Sequence, residues 1–477
     1  MKKILFAGAE IMPFASTGGL GDVLGSLPKS LAIEYGKNAD IRAVMPLYSA
    51  VGEKYRERMT LVATLEVPLA WRRLYCGIYE LKENGVTWYF IDNEYYFKRH
   101  ALYGHYDDGE RYAYFSMAVM KLMEVTGFIP DILHSHDWQA ALTTVYLKTI
   151  YASVPGFENV KAIFTIHNIE YQGKYDFNIL GDVFALPEKY SSIVENDGCI
   201  NLMKGAIAVA DKVSTVSPRY ASEILTEEYS HGLSGILCAN SYKLSGILNG
   251  IDYDYYNPTV DEMIVSTFDS AHYAAKQKNK VALFKELGLN GDKNTPLITV
   301  ISRLATHKGL DLVAENAYRM MNETNCNFVL LGTGEPALER FFSGLEIAFP
   351  GRVKALITFD RPLSKRIYAA ADIFLMPSKS EPCGLSQMIA SRYGAVPVTR
   401  ETGGLYDSIK NYSEQEGRVL GNGFTFADYS SEALYDRITA ALDLYVDRTR
   451  WKRLYRKVMN EDFSWEKSAK EYVELYK

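Results

Sequence analysis

The sequence is poor in the residues that mark several large classes of protein. It has only 5 cysteines in 477 residues, Cys76, Cys199, Cys238, Cys326 and Cys383, and no two stand in C-x-x-C spacing. That argues against a disulfide-stapled scaffold and a thiolate metal cluster, and it makes reduced thiols in a cytoplasmic protein the expectation. No apolar run approaches the ~20 residues of a membrane span. The start, "MKKILFAGAE", has the charge of a signal peptide but is interrupted by Glu10 too early for a full apolar core, so it reads as a buried first strand. Positive charge is also scarce. Lys and Arg number 52 against 58 Asp and Glu, a net charge of −6, which disfavours nucleic acid and membrane surfaces as partners. Any anionic ligand must be met by cations placed locally.

The same lack recurs in one short stretch. Residues 15–28 read "ASTGGLGDVLGSLP", a glycine-rich turn between a strand and an apolar helix pattern. Such turns let backbone N–H groups approach a phosphate. The spacing is neither G-x-G-x-x-G nor G-x-x-x-x-G-K-[ST], and the turn holds no lysine or arginine. Asp22 is placed to cap the helix that follows.

What is present is a repeated strand–helix alternation. "KKILFAG", "ADIRAVMP", "VTWYFID", "DILHSHD", "KAIFTIHN" and "KVSTVSP" read as short strands in the first half. "SGILNG", "TPLITVISR", "NFVLLGTG", "ADIFLMPS", "AVPVTR" and "GFTF" repeat the style in the second. Amphipathic stretches such as "GLDLVAENAYRMMNE" and "EALYDRITAALDLYV" lie between them. This is the βαβ pattern of doubly wound parallel sheets, and the length calls for more than one core. The expectation is an α/β protein of two Rossmann-like domains, residues 1–245 and 246–455, joined through the aperiodic stretch from "YDYYNPTVDEM" to "QKNK".

In open α/β sheets ligands bind beyond the carboxyl ends of the strands. Polar residues stand there repeatedly: His136 and Asp137, His167 and Asn168, Asn249, Arg303 and Lys308, Glu381, and Thr402-Gly403-Gly404. Arg303 and Lys308, in a strand-to-helix turn, can grip a diphosphate with the help of a helix N-terminus. Each position has a plainer reading. His134 and His136, beside Asp137, could belong to a metal site, but no third ligand has suitable spacing and hydrogen-bonded core histidines fit better. Asp252-Tyr253-Asp254 reads either as a metal-binding D-x-D or as a turn. The aromatic stretch "NEYYFKRHALYGHY" suits sugar stacking or simple packing equally well.

Taken in order, "STGGLGDVLGSLP", "HSHDW", "TIHNIEYQG", "STVSPRYASEI", "GILNGID", "SRLATHKGLDLV", "LLGTGEP", "PSKSEPCGLSQMIA" and "TGGLYDSI" resemble the motifs of bacterial glycogen synthases and plant starch synthases (glycosyltransferase family 5) across essentially the whole chain. The resemblance implies a GT-B fold, with two Rossmann-like domains facing a cleft. It makes "FSWEKSAKEYVELYK" part of a C-terminal segment, 456–477, whose helix returns to the first domain. It implies retaining transfer of glucose from ADP-glucose to the non-reducing 4-OH of an α-1,4-glucan, without metal or cofactor, and a cytoplasmic setting. No transit segment precedes "KKILFAG", which favours the prokaryotic branch. Glycogen and maltooligosaccharides are the partners it implies, with no nucleic acid and no membrane.

Residue roles carry over by matching motifs. Arg303 and Lys308 match the pair on the donor diphosphate, Glu381 the acid at the donor glucose, and His167 the histidine beside that sugar. Asp137 and Asn249 match the sugar pocket. Gly18, Gly19, Cys383, Gly384, Leu385, Thr402, Gly403 and Gly404 match donor-contacting turns. Phe359 stands where the family has a tyrosine stacked on adenine, and Ser16 where it has a lysine. Residue 389 is Ile, so the E-x7-E of many other retaining GT-B enzymes is absent. No carboxylate in these motifs is placed as a nucleophile, which favours front-face attack over a covalent intermediate.

Overall fold

The computed structural model describes residues 1–477 and divides into two compact units, one formed by Met1–Gly250 with Trp465–Lys477, the other by Ile251–Ser464. None of its helices is long and apolar enough to cross a membrane.

The first unit is built on a nine-stranded sheet. β1 (Lys2–Ala7), β2 (Ala39–Pro46), β3 (Thr60–Leu69), β4 (Arg72–Glu83), β5 (Val86–Asp92), β6 (Ile132–His136), β7 (Lys161–Ile166), β8 (Lys212–Thr215) and β9 (Leu244–Gly246) are arranged in the order β9-β8-β7-β6-β1-β2-β5-β4-β3. The central strands are uninterrupted apolar runs because helices cover both faces: Ile4, Leu5, Phe6 and Ala7 are fully buried. Only β4 runs against the rest, antiparallel to both β5 and the edge strand β3. Helices α1 (Gly19–Tyr35), α2 (Asp108–Thr126) and α3 (Asp137–Lys148) pack beside the sheet.

The strand within "SGILNG", grouped in the sequence with the second half, is the parallel edge strand of this first sheet, paired with β8. Its approach is close: a Cβ on Gly246 would lie 2.2 Å from the Ser217 carbonyl oxygen. The last helix, Trp465–Leu475, packs on α1, and Tyr476 beyond it ties down the chain end. The Tyr476 carbonyl accepts from Lys2 Nζ at 2.5 Å and its hydroxyl meets His134 Nδ1 at 2.7 Å.

The second unit carries a six-stranded, wholly parallel sheet. Its strands are β10 (Leu297–Ile301), β11 (Asn327–Leu331), β12 (Val353–Leu356), β13 (Ile373–Met376), β14 (Val396–Arg400) and β15 (Phe424–Phe426), in the order β12-β11-β10-β13-β14-β15. Counted within the unit this is 3-2-1-4-5-6, the doubly wound dinucleotide-binding order. The order reverses between β10 and β13. In the first unit it reverses between β1 and β6. Crevices for ligands open at such reversals, beyond the carboxyl ends of the strands.

Candidate active site

In the second unit, the turn after β10 carries Arg303 and Lys308, and the turn after β13 carries Ser378 and Glu381. The chain reversal thus brings together Lys308 and Glu381, 73 positions apart. Lys308 Nζ donates to Glu381 Oε2 at 2.7 Å, and Ser378 Oγ donates to the same oxygen at 3.0 Å. The pair is mostly shielded, with side chains 18% and 7% exposed. Arg303 is exposed beside it in sequence. Lys308 is held by its loop: Glu335, after β11, accepts from Thr306 N at 2.8 Å and from the Thr306 hydroxyl.

Glycine makes this crowding possible. Gly309 has φ 70°, and a Cβ there would sit 2.0 Å from the Pro377 carbonyl oxygen, so the two turns touch only because residue 309 has no side chain. The third turn, after β14, comes in the same way. Gly404 N donates to the Glu381 carbonyl at 3.1 Å, and Cβ atoms on Gly403 and Gly404 would meet the carbonyls of Glu381 and Cys383. Lys308, Glu381, Cys383, Thr402, Gly403 and Gly404 therefore form one cluster. Gly384 and Leu385 continue its backbone into the helix Ser386–Arg392. Phe359 lies apart, after β12, with its ring 79% exposed and the Arg361 guanidinium 5.8 Å from the ring centre.

In the first unit, Asp137 opens α3 directly after β6. Its φ of 57° is a left-handed conformation that Asp tolerates better than most residues. The carboxylate crosses to the end of β7, where Oδ1 accepts from His167 N at 2.8 Å and Asn168 N at 3.5 Å. Burial pushes its pKa up to about 7, against the pull of these backbone donors. His136 Nδ1 and His167 Nε2 share a hydrogen bond of 2.9 Å. His134 stacks on His136 with centroids 4.2 Å apart and is bonded on both nitrogens, to Tyr476 and to Thr165. Burial pushes the pKa values of His134 and His167 down to about 3 and that of His136 well below the usual imidazole value. All three are neutral near pH 7. His134 uses both nitrogens on hydroxyls and His136 and His167 bond to one another, leaving His136 Nε2 buried without a partner, and no group of three His, Cys, Asp or Glu side chains is placed to hold a metal. Asn249 is buried, with its Oδ1 unpartnered.

The glycine-rich turn ends β1 on the other side of this reversal. The N-cap of α1 is Gly18, so Asp22 lies inside the first turn and does not cap the helix; the helix begins earlier than the sequence pattern indicates. The turn's amides are taken instead by Glu10, whose carboxylate accepts from Thr17 N, Thr17 Oγ1 and Gly18 N. Gly18 and Gly19 have open space where a side chain would be. Asp252 Oδ1, in the second unit, accepts from Asp254 N and Tyr255 N and so closes a turn.

Glu10, Ser378 and Glu335 were missed in the sequence. Ser378 and Glu335 follow strands, the position that located the other residues; Glu10 looked only like the end of an apolar run.

Comparison with known proteins completes the description. Residues 3–239 match the family model of the starch synthase catalytic domain, and residues 282–458 match that of glycosyl transferases group 1. The chain is 43% identical to the glycogen synthase of Ligilactobacillus salivarius, covering 99% of both chains. It is 44% identical to that of Bacillus subtilis, over 99% of this chain and 97% of the relative. Its fold matches the catalytic domain of starch synthase IV from Arabidopsis thaliana bound to ADP and acarbose, with a TM-score of 0.90, 36% identity, and coverage of 100% and 98%. Sucrose-phosphate synthase from Thermosynechococcus elongatus shares the fold at 15% identity and a TM-score of 0.62.

Proposed function

The chain belongs to the family of glycogen and starch synthases, GT-B glucosyltransferases, and from that premise we propose that it transfers glucose from ADP-glucose to the non-reducing 4-OH of an α-1,4-glucan with retention at the anomeric carbon. The observation that carries the reading is the Lys308–Glu381 pair at the chain reversal of the 3-2-1-4-5-6 sheet, with Arg303 exposed in the same turn.

The chemistry needs a good leaving group. As the bond from the anomeric carbon to the diphosphate breaks, negative charge builds on the β-phosphate. Arg303 and Lys308 are preset cations for it, and their effect is greatest in the transition state. Glu381, oriented by its hydrogen bonds from Lys308 and Ser378, faces the glucosyl group as its positive character develops. Gly403 and Gly404, lacking side chains, let the backbone of their turn come close to the phosphates and sugar. Asp137 and His167 hold sugar hydroxyls by hydrogen bonds without adding positive charge, since His167 stays neutral. Phe359 stacks on adenine. The acceptor hydroxyl attacks on the face the diphosphate leaves, and the departing phosphate oxygen takes its proton. None of the five cysteines is joined in a disulfide, which fits a cytoplasmic enzyme.

The test is incorporation of radiolabel into glycogen from ADP-glucose and UDP-glucose side by side. ADP-glucose supplies the label under this reading. Equal or greater incorporation from UDP-glucose overturns the donor assignment, and none from either overturns the activity.

A further inference from the structure

A glycine-rich turn at a helix N-terminus is an anion site by construction, because its backbone N–H groups point into one hollow and the helix dipole favours negative charge there. In this chain part of that hollow is filled from inside. The Glu10 carboxylate, 3% exposed, accepts from Thr17 N at 2.6 Å, Thr17 Oγ1 at 2.6 Å and Gly18 N at 3.2 Å. All three donors belong to the turn itself. Two further observations bear on the same spot. The Tyr103 hydroxyl is buried close to the same carboxylate, and burial first, then the Glu10 charge, raise its pKa well above the usual tyrosine value. A Cβ on Gly21 would lie 2.5 Å from Ser16 Cβ, 2.3 Å from Ser16 Oγ and 3.3 Å from Glu10 Oε2. Residue 16 is thus folded down against the first turn of α1, next to Glu10, and its hydroxyl donates to the Gly18 carbonyl at 3.1 Å.

We propose that Glu10 is the positioning residue of the donor-contacting turn, an internal anion that occupies the Thr17 and Gly18 amides and leaves only the open face at Gly18 and Gly19 to the nucleotide sugar. The proposal rests on the reading of this turn as a donor contact. It accounts for a turn with no lysine or arginine. With its amides already satisfied, the turn gives the donor a shaped backbone surface, and the cations come from Arg303 and Lys308. It also gives residue 16 a different place. A lysine there would stand beside the Glu10 carboxylate and pair with it before reaching a phosphate.

The experiment compares Glu10→Ala, Glu10→Gln, Ser16→Lys and Ser16→Lys/Glu10→Gln with the wild type. It measures KM and kcat for ADP-glucose at saturating glycogen, KM for glycogen at saturating ADP-glucose, and melting temperature. Glu10→Ala should raise the KM for ADP-glucose about tenfold or more, since three charge-assisted bonds that fix the turn are lost. Glu10→Gln, which keeps an acceptor oxygen, should recover most of that loss. Glycogen KM should stay within about twofold in both. Ser16→Lys alone should leave the donor KM within about threefold, and the double variant should lower it relative to Glu10→Gln, as the lysine is freed. A change confined to glycogen KM would place Glu10 on the acceptor and overturn the proposal, as would a Glu10→Ala variant with wild-type donor KM. A fall in donor KM with Ser16→Lys alone would show that residue 16 already faces the phosphates and would also overturn it. If Glu10→Ala is too unstable to assay, Glu10→Gln and the double variant decide between these outcomes. An inactive wild type would instead count against the proposed function.

Discussion

At the chain reversal of the first unit the polar groups are an internal carboxylate, a half-buried aspartate and three neutral histidines. At that of the second they are an exposed arginine and a lysine–glutamate pair. Both sets stand after parallel strands where the strand order switches, so topology alone does not distinguish them. Their electrostatics do. The second set can neutralise a leaving diphosphate. The first set is built from groups that hydrogen-bond without carrying positive charge, which suits sugar hydroxyls. Two sheets of one architecture thus provide unlike chemistry through the few residues that follow each strand.

The most severe way to break this contrast is to remove the charges of the second unit. Lys308→Ala and Glu381→Ala should each lower kcat by about a hundredfold to a thousandfold, the ~3–4 kcal/mol typical of lost transition-state stabilisation, with a smaller change in ADP affinity by calorimetry. Each variant also strands a shielded partner charge, so melting temperature is measured alongside. Turnover within a few-fold of wild type would end the assignment of charge to this cluster. Arg303→Ala comes next. Loss of a charged hydrogen bond, ~1.5–3 kcal/mol, should raise KM for ADP-glucose by about ten- to a hundredfold. The effect should shrink at high salt, because the residue is exposed.

The first unit is tested by pH. Its three histidines have pKa values lowered by burial, so the unfolded chain binds more protons below pH 6.5, and stability should fall as pH drops from 6.5. Asp137 acts in the opposite sense. Its pKa is raised from 3.8 to about 7, so its ionisation costs stability that builds as pH rises between those values. Asp137→Asn, which keeps an acceptor for the His167 amide, should therefore raise the melting temperature above pH 7, by about 2–6 °C for one or two kcal/mol, and converge with wild type near pH 4. Scanning calorimetry from pH 4 to 8.5 checks both slopes; a wild type equally stable at pH 5 and 7.5 would contradict the neutral histidines. The smallest effect belongs to Phe359→Tyr. With the ring face proposed to stack on adenine, the donor KM should move by less than about twofold; a tenfold gain would give the missing hydroxyl a role of its own.

Much of this could be read from the chain. The parallel strands are apolar runs buried on both faces, and their ends point to Asp137, His167, Arg303, Lys308 and Glu381. The antiparallel strand β4 was legible too but overlooked: the start of β4 alternates in exposure, and "ENG" gives Asn84 and Gly85 positive φ in the tight turn that joins β4 to β5. The search for βαβ units passed over a period of two. Glu10 was not legible, because an acid at the end of a strand has no sequence signature that distinguishes a solvated charge from an internal one.

Periodicity and strand-end position are local properties, so the α/β class, the run of strands and the residue types waiting after each one follow from residue order. Which of those residues meet depends on how the strands are ordered in the folded sheets. Lys308 reaches Glu381 because β10 and β13 are neighbours in the sheet and Gly309 lets their turns touch. The edge strand Leu244–Gly246 joined the first sheet because its partner β8 and the Ser217 turn lie there. The turn amides of Thr17 and Gly18 went to Glu10 because the backbone folds back on itself between residues 10 and 17, a closure that hydrogen-bond geometry settles and residue order does not.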